Sequence, residues 1–336
     1  MLTADLTRRL AREVGFDLCG ITGPEPIVDA VARFSGWLES GHHAEMDWLA
    51  RSLNRRSDPN EVLPGVRSII MLGLNYYQPN SEPVPLGHGR VSRYARGRDY
   101  HKVIAAMSEQ LIAKLEEQAP AEEYVPSEEQ VPASEDHKFS AYVDHGAVLE
   151  RAYAVKAGLG YTGKNALLIN RDFGSWVFLA VILTTVELEI DDPDAIDHGT
   201  CNDCTLCVDS CPTEAILPGG VIEAARCISY LTVEDPTERD DLLDRKTGRL
   251  IFGCDICQEV CPHNLKRSQP AGRAEFGAEY GVGEFLDAHK VLNIESQGEF
   301  LDLAVGTSLM RPKLDGLKKN ATVVLENERR ESEDQK

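Results

Sequence analysis

Apolar residues recur along this chain with two periods. Leu2, Leu6, Leu10 and Val14 return every four positions, which predicts a helix over 3–14 with Gly15 as its left-handed terminator. Phe16 to Ile21 reads as a short strand, and 26–40 as a second helix ending at Gly41. The unbroken apolar run Val66 to Leu74 predicts a buried strand. Asp99 stands where it can N-cap a long amphipathic helix, Tyr100 to Gln118. Phe139 to Val143 predicts a strand, and Ala147 to Ala157 a helix stopped by Gly158. Ala166 to Ile169 and Trp176 to Thr184 predict further strands. Helices alternating with strands up to about residue 190 imply an α/β domain.

Polar stretches divide the rest. Residues 119–138 are rich in Pro, Glu and Ser, cannot bury enough apolar surface to order themselves, and read as a surface insertion. Glu187 to Asp197 is an acidic linker. A Gly-rich connection follows residue 268, and Glu299 to Val305 with Pro312 to Asn327 then predict an antiparallel helix pair. The charged end, 328–336, is expected to fray. The expected division is 1–190, 191–270 and 271–336.

Composition narrows the class. The chain is 42% hydrophobic, yet its longest apolar run, Trp176 to Leu183, is far short of the roughly 20 residues that span a bilayer. The N-terminal residues lack the apolar core of a signal peptide. Clustered cysteines without such a leader predict the reducing cytoplasm and no membrane partner. The formal charge is −20, from 55 acidic against 35 basic residues, which disfavours non-specific nucleic-acid binding. A polyanionic partner therefore needs a local basic surface. Cys19 stands alone in an apolar stretch and reads as a small buried hydrophobe.

The other eight cysteines lie between Cys201 and Cys261. Cys201, Cys204, Cys207 and Cys211 followed by Pro212 form C-x2-C-x2-C-x3-C-P, the run that holds cubane 4Fe–4S clusters in bacterial ferredoxins. A second run, Cys254, Cys257, Cys261 and Pro262, lacks its first cysteine, because Ile251 stands there. Cys227 is the remaining cysteine and takes that place. In two-cluster ferredoxins the fourth cysteine of each run ligates the other cluster. One cluster then takes Cys201, Cys204, Cys207 and Cys261; the other takes Cys211, Cys227, Cys254 and Cys257. Zinc and disulfides compete for such residues, but the spacing and the two prolines favour clusters.

Four other stretches carry candidate chemistry. Asp144 sits between a predicted strand and helix, in Asp144-His145-Gly146 with Glu150-Arg151 beyond. It reads as an N-cap, or as a carboxylic acid at a strand end where ligands sit. Gly158, Gly160 and Gly163 precede Lys164 and Asn165 without the P-loop spacing, so they suit either a turn or close approach to a flat or anionic ligand. Arg90, Arg93, Arg96, Arg98 and Lys102 concentrate positive charge, with Arg51, Arg55 and Arg56 as additions; they read as an anion-binding loop or a solvated one. Arg311, Lys313, Lys318 and Lys319 begin the last helix, where cations oppose the dipole, and suit phosphates or solvent.

Together with the cysteine pattern, these stretches resemble the epoxyqueuosine reductases over nearly the whole chain. The specific marks are Tyr94 through Asp99-Tyr100-His101, Asp144-His145-Gly146 with Glu150-Arg151, Gly158 through Gly163-Lys164-Asn165, and the cysteine set with its distant Cys227. The resemblance implies reduction of the epoxide of epoxyqueuosine to the alkene of queuosine at the wobble position of tRNA with a GUN anticodon. It implies cobalamin and two 4Fe–4S clusters as cofactors, and a low-potential donor of the flavodoxin or ferredoxin type. It implies a nitroreductase-like α+β cobalamin domain, a ferredoxin-like two-cluster module, and a short HEAT-like helical segment that helps grip tRNA. Asp144 falls at the family's proton-donor position, with burial beside the corrin expected to keep it protonated. Arg56, Arg98, Arg151, Lys164 and Asn165 fall where the family lines the corrin, and Arg311, Lys313, Lys318 and Lys319 on its tRNA-facing segment. A monomer is expected. No Asp-x-His-x-x-Gly motif is present, so no histidine ligand to cobalt is expected.

Three features depart from the family pattern: His263 after Cys261-Pro262 where Trp is usual, a short C-terminal segment, and the large acidic excess. The last requires positive charge on one face, around Arg90–Lys102 and Arg311–Lys319. Two other readings share these parts. A reductive dehalogenase-like corrinoid enzyme is disfavoured because Arg8-Arg9 is followed by no apolar segment. A ferredoxin-like electron-transfer protein leaves Asp144 and the glycine turn without a purpose.

Overall fold

The computed structural model describes residues 2–334 except 82, 119–137, 196, 236, 238 and 239. The Pro- and Glu-rich insertion therefore lies outside the described residues, apart from Lys138.

A four-stranded sheet, in the order Leu18–Thr22, Ser68–Asn75, Val177–Thr184 and Phe139–Tyr142, forms the first core. All three pairings are antiparallel. Every residue of Ser68–Asn75 is buried, as expected of a strand covered on both faces. The helices Ala4–Val14 and Tyr100–Gln118 cover one face through Leu10, Ile104 and Leu111, and Glu150–Lys156 covers the other through Tyr153 and Ala154. The first helix is capped at both ends: Thr3 Oγ1 accepts from Leu6 N–H, and Gly15, at φ 107°, donates back to Ala11 and Arg12. Cys19 packs half-buried against this core, and burial pushes its thiol up to about 12.

The second sheet has three strands that the hydrophobic pattern did not reveal. Leu250–Phe252 pairs parallel with His88–Val91, which pairs antiparallel with Phe285–Asp287. The sheet thus takes one strand from each of the three expected sections. Ile251 lies on its edge strand Leu250–Phe252, fully buried against Gly89 and Val324. The apparent gap in the second cysteine run is therefore a core strand position, where a thiolate ligand would face apolar side chains.

The C-terminal helix corrects two expectations. Lys313–Asp334 does not form a simple antiparallel pair with Gln297–Ala304; it lies across the second sheet and the helix Ala288–Leu292. Leu317, Ala321 and Val324 form a stripe, and the sheet residues Ile251 and Phe252 give it the larger apolar surface to bury. Its charged end does not fray before Asp334, because polar contacts hold it. Asn327 donates to the Asp244 and Gly248 carbonyls, Glu328 pairs with Arg249 at 3.0 Å, and Arg330 pairs with Asp241 at 2.7 Å. Among the described residues, no helix is long and apolar enough to cross a membrane.

Candidate functional site

Asp144 follows the edge strand Phe139–Tyr142 and is not an N-cap. The next helix starts six residues later at Glu150, with Leu149 in the capping position. Asp144 instead adopts φ 61°, and its own N–H donates to Glu150 Oε1 at 2.9 Å. This left-handed turn aims the carboxylate outward, where its side chain is 68% exposed although protein surrounds it closely. The carboxylate is the exposed member of a group with Tyr100, His101 and Glu150, and the open space above it is the Asp144 cleft.

Two residues from the start of the Tyr100–Gln118 helix reach that carboxylate. Tyr100 Oη donates to Asp144 Oδ2 at 2.7 Å, and His101 Nε2 lies 3.6 Å from the same oxygen. His101 Nδ1 sits 2.8 Å from Asp99 Oδ1, so the ring bridges two carboxylates. Burial works against the imidazolium, but hydrogen bonds to Asp144 and Asp99 prevail and raise His101 to about 9. For Asp144, burial pushes the carboxyl up; the hydrogen bonds from His101 and Tyr100 outweigh it and hold the group below the usual carboxylate range. The expected protonation rested on burial beside a corrin; the protein groups by themselves hold Asp144 ionised. The raised carboxyl belongs to Glu150, pushed well up by burial and then by the Asp144 charge. Tyr100, His101 and Glu150 were visible only as motif letters; the packing of helix on sheet gives them contacts with Asp144.

The cations divide sharply. Arg56 is buried, donates to Ser52 Oγ at 2.9 Å and Val148 O at 3.3 Å, and faces Glu150 and Asp144. Arg151 donates to the Ala166 carbonyl and also faces both carboxylates. Arg90, Arg93 and Arg96, in contrast, are not an anion-binding surface. All three are buried: Arg90 and Arg96 meet Glu284, and Arg93 meets Asp255 at 3.1 Å and Glu259 at 2.7 Å. Arg98 is exposed, its guanidinium 5.9 Å from the Tyr280 ring. In the last segment, Arg311 forms a two-pronged bond to Glu234 at 2.8 Å, and its charge also faces Asp144 and Tyr100. Lys319 is engaged with Asp235 and Thr237. Lys313 is exposed and Lys318 half-exposed. The single basic face expected of both stretches is not formed; Arg311 alone of them is placed toward the Asp144 cleft.

The eight cysteines gather in two sets. Cys207 lies within electrostatic reach of Cys201, Cys204 and Cys261, Cys257 within reach of Cys211 and Cys227, and Cys254 of Cys227 and Cys257; Cys207 also reaches Cys257, so the two sets adjoin there. All are free thiols. Among the described residues no three ligands converge on one ion; four thiolates on the corners of a cubane stand farther apart than four on one zinc. The first set lines a cavity of about 310 Å³ shared with Lys164, Asn165 and His263. Lys164 Nζ donates to Asn202 O at 2.7 Å, and the buried Asn165 Nδ2 has no partner. Both were assigned to the corrin lining and here open on the cysteine cavity. Tyr161 Oη links His263 Nε2 at 3.0 Å to Cys201 Sγ at 3.8 Å. Cys201, Cys204, Cys207 and Cys261 border the open cavity and form the outer set, although Cys261 is itself buried; burial raises the thiols of Cys227, Cys254 and Cys257 in the other. A Cβ on Gly160 or Gly163 would lie 2.5 Å from an Ile169 atom, so these glycines let the small hairpin close.

Comparison with known proteins adds to this geometry. A family model described as "Epoxyqueuosine reductase QueG, DUF1730" matches residues 56–144, and one for a 4Fe-4S double cluster binding domain matches 200–264. The epoxyqueuosine reductase of Gloeobacter violaceus is 38% identical over 96% of each chain. That of Synechocystis is 40% identical over 74% of this chain and 79% of its own. A crystal structure of an epoxyqueuosine reductase with an epoxyqueuosine-modified tRNA-Tyr stem loop superposes with a TM-score of 0.81 at 26% identity, covering 96% of this chain and 80% of that one. A Bacillus subtilis epoxyqueuosine reductase, with its catalytic aspartate loop swung out of the active site, gives 0.80 at 26% identity over 96% and 81%. The α/β fold, the double-cluster domain and the extent of these matches lead to one conclusion: the chain belongs to the epoxyqueuosine reductase family.

Proposed function

We propose that this chain reduces epoxyqueuosine to queuosine in tRNA with Asp144 as the proton donor, and with a corrin and two 4Fe–4S clusters as its cofactors. The observation that carries the reading is the Asp144 carboxylate, open to the cleft while held by Tyr100 and His101.

The residues fit these groups. Eight thiols lie close enough together to supply two sets of four, and an exposed carboxylate stands with Arg56 and Arg151 close by. When bound, the corrin supplies the epoxide with electrons delivered through the clusters. Removing the epoxide oxygen takes two electrons and two protons and releases one water. The oxygen must be protonated as its bonds to carbon break. Asp144 Oδ2 is the group open to substrate, but its carboxyl is ionised at neutral pH. His101 Nε2, protonated and 3.6 Å away, holds the proton in reserve. The path runs from His101 to Asp144 to the substrate oxygen. Tyr100 fixes Oδ2 throughout, and Glu150, which accepts from Asp144 N–H, fixes the Asp144 backbone. If the aspartate loop swings out as in the Bacillus subtilis relative, both contacts must break.

The rest of the reading follows from the family. The N-terminal sheet with its helices is the nitroreductase-like corrin domain, 191–270 the cluster module, and 271–336 a HEAT-like segment. Arg311, facing the cleft, contacts the tRNA backbone at its mouth, with the exposed Lys313 and Lys318 along it. The protein acts as a cytoplasmic monomer reduced by a flavodoxin or ferredoxin. Anaerobic reconstitution with cobalamin and turnover of an epoxyqueuosine-modified anticodon stem-loop tests the reading. Failure to bind cobalamin would overturn it.

A further inference from the structure

We propose that the surface formed by Arg171, Lys266, Arg267 and Leu265 is the docking site for an acidic electron-carrier protein. This rests on the proposal above that the clusters are reduced from outside. The helix Pro262–Arg267 starts at the residue after Cys261, a member of the outer cysteine set. Lys266 and Arg267 project from it into a polar depression of about 280 Å³, completed by Arg171, Asp172 and Gln269. Three cations against one carboxylate is a local reversal on a chain of charge −20. Arg171 is 52% exposed, and Arg267 ties the two halves by donating to the Arg171 carbonyl. Leu265, on the same short helix, is 73% exposed, an apolar contact point beside the charges. Arg267 lies close enough to Tyr161 for its charge to act there, and Tyr161 Oη is 3.8 Å from Cys201 Sγ. A carrier seated on this patch is therefore next to the outer cysteine set.

The chemistry selects a protein carrier with an acidic rim. Electron transfer weakens steeply with distance, so a carrier must approach the outer cluster. Redox encounters bury little area and rely on charge for orientation and rate. RNA is the less suitable occupant, since the modified base must reach Asp144. The residues around Asp144 (Tyr100, His101, Arg151, Arg311) are not among those of the patch. Two carriers each give one electron per epoxide, and two protons complete the water.

Lys266→Glu/Arg267→Glu tests this on the reconstituted holoenzyme, with Lys266→Glu alone as the milder variant. With chemically reduced flavodoxin as donor, KM for flavodoxin should rise about tenfold or more, and the fall in rate with added salt should flatten. With dithionite and methyl viologen as reductant, turnover of the stem-loop should stay at the unaltered level, which also shows that clusters and fold are intact. An unchanged flavodoxin KM in both variants overturns the docking site. A raised KM for the tRNA stem-loop under dithionite, with flavodoxin kinetics unchanged, assigns the patch to RNA and also overturns it. Absence of dithionite-driven turnover in the unaltered protein contradicts the proposed reaction instead.

Discussion

Replacing Asp144 by Asn isolates the proposed proton path. Asn keeps the size of the side chain and an oxygen that accepts from Tyr100 Oη, now bonded at 2.7 Å. It loses the transferable proton and the negative charge facing His101. Positioned general acids contribute about 10²- to 10⁴-fold, so turnover should fall by that factor, or about 3–5 kcal/mol in the barrier. The fold should hardly notice, since a side chain 68% exposed is well screened and such pairs contribute about 0–1 kcal/mol. A second effect accompanies the first. His101 is raised to about 9 by two carboxylates, and losing Asp144 removes the one that heads its causes after burial. Its titration must move down. Nucleoside analysis of a modified stem-loop measures the first effect under single-turnover conditions, and NMR titration of the histidine rings measures the second. An Asp144→Asn protein with full turnover refutes the proton-donor role. A lowered rate with an unmoved His101 titration refutes the coupling between the two groups.

Other expectations concern pH, cluster assembly and packing. His101 is raised by its carboxylates, so the stability it contributes is complete below about 6.5 and fades as pH rises through about 9. Turnover should show an alkaline limb near 9, which His101→Gln removes; a limb that persists in that variant counts against the relay. Cys227→Ala should leave about four irons per chain of about eight, by iron analysis. Adding Ile251→Cys should not restore them, because position 251 is a buried strand residue; recovery would show that the core can open to a ligand. Arg93→Ala leaves Asp255 buried without its cation, though still bonded by Ser92 Oγ and the backbone N–H of residue 93, and should cost about 3–5 kcal/mol in urea unfolding. A loss under 1 kcal/mol would mean that the pair is dispensable.

The sequence exposed those parts of the molecule whose causes are local. The strand Ser68–Asn75 and the helix cap at Gly15 follow from short-range pattern and turn chemistry. Ligand counting around the broken motif pointed to Cys227, which the structure places near Cys211, Cys254 and Cys257. The basic stretch was misread because its partners are remote: Asp255 and Glu259 lie over 160 residues from Arg93, and Glu284 lies 194 from Arg90. Clustered charge in sequence says nothing about acids that arrive from elsewhere. The second sheet was invisible for the same reason, with strands of three and four residues too short for a period to register. Asp144 was legible as a turn residue, but its protonation depends on Tyr100 and His101, which only tertiary packing brings to it.

That second sheet also constrains how the protein comes to exist. His88–Val91 leaves the ribosome long before Leu250–Phe252 or Phe285–Asp287 can pair with it. Its backbone edges stay open while the cysteine loops are still being made, a state prone to wrong pairing. The helix Lys313–Asp334, which covers Ile251, arrives later than all three strands. Maturation is therefore ordered by topology: cysteine pairing into two sets, closure of the small sheet and docking of the C-terminal helix are one late event. A chain cut after residue 270 loses the outer strand and that cover together, and it should be recovered as aggregate, without either cluster.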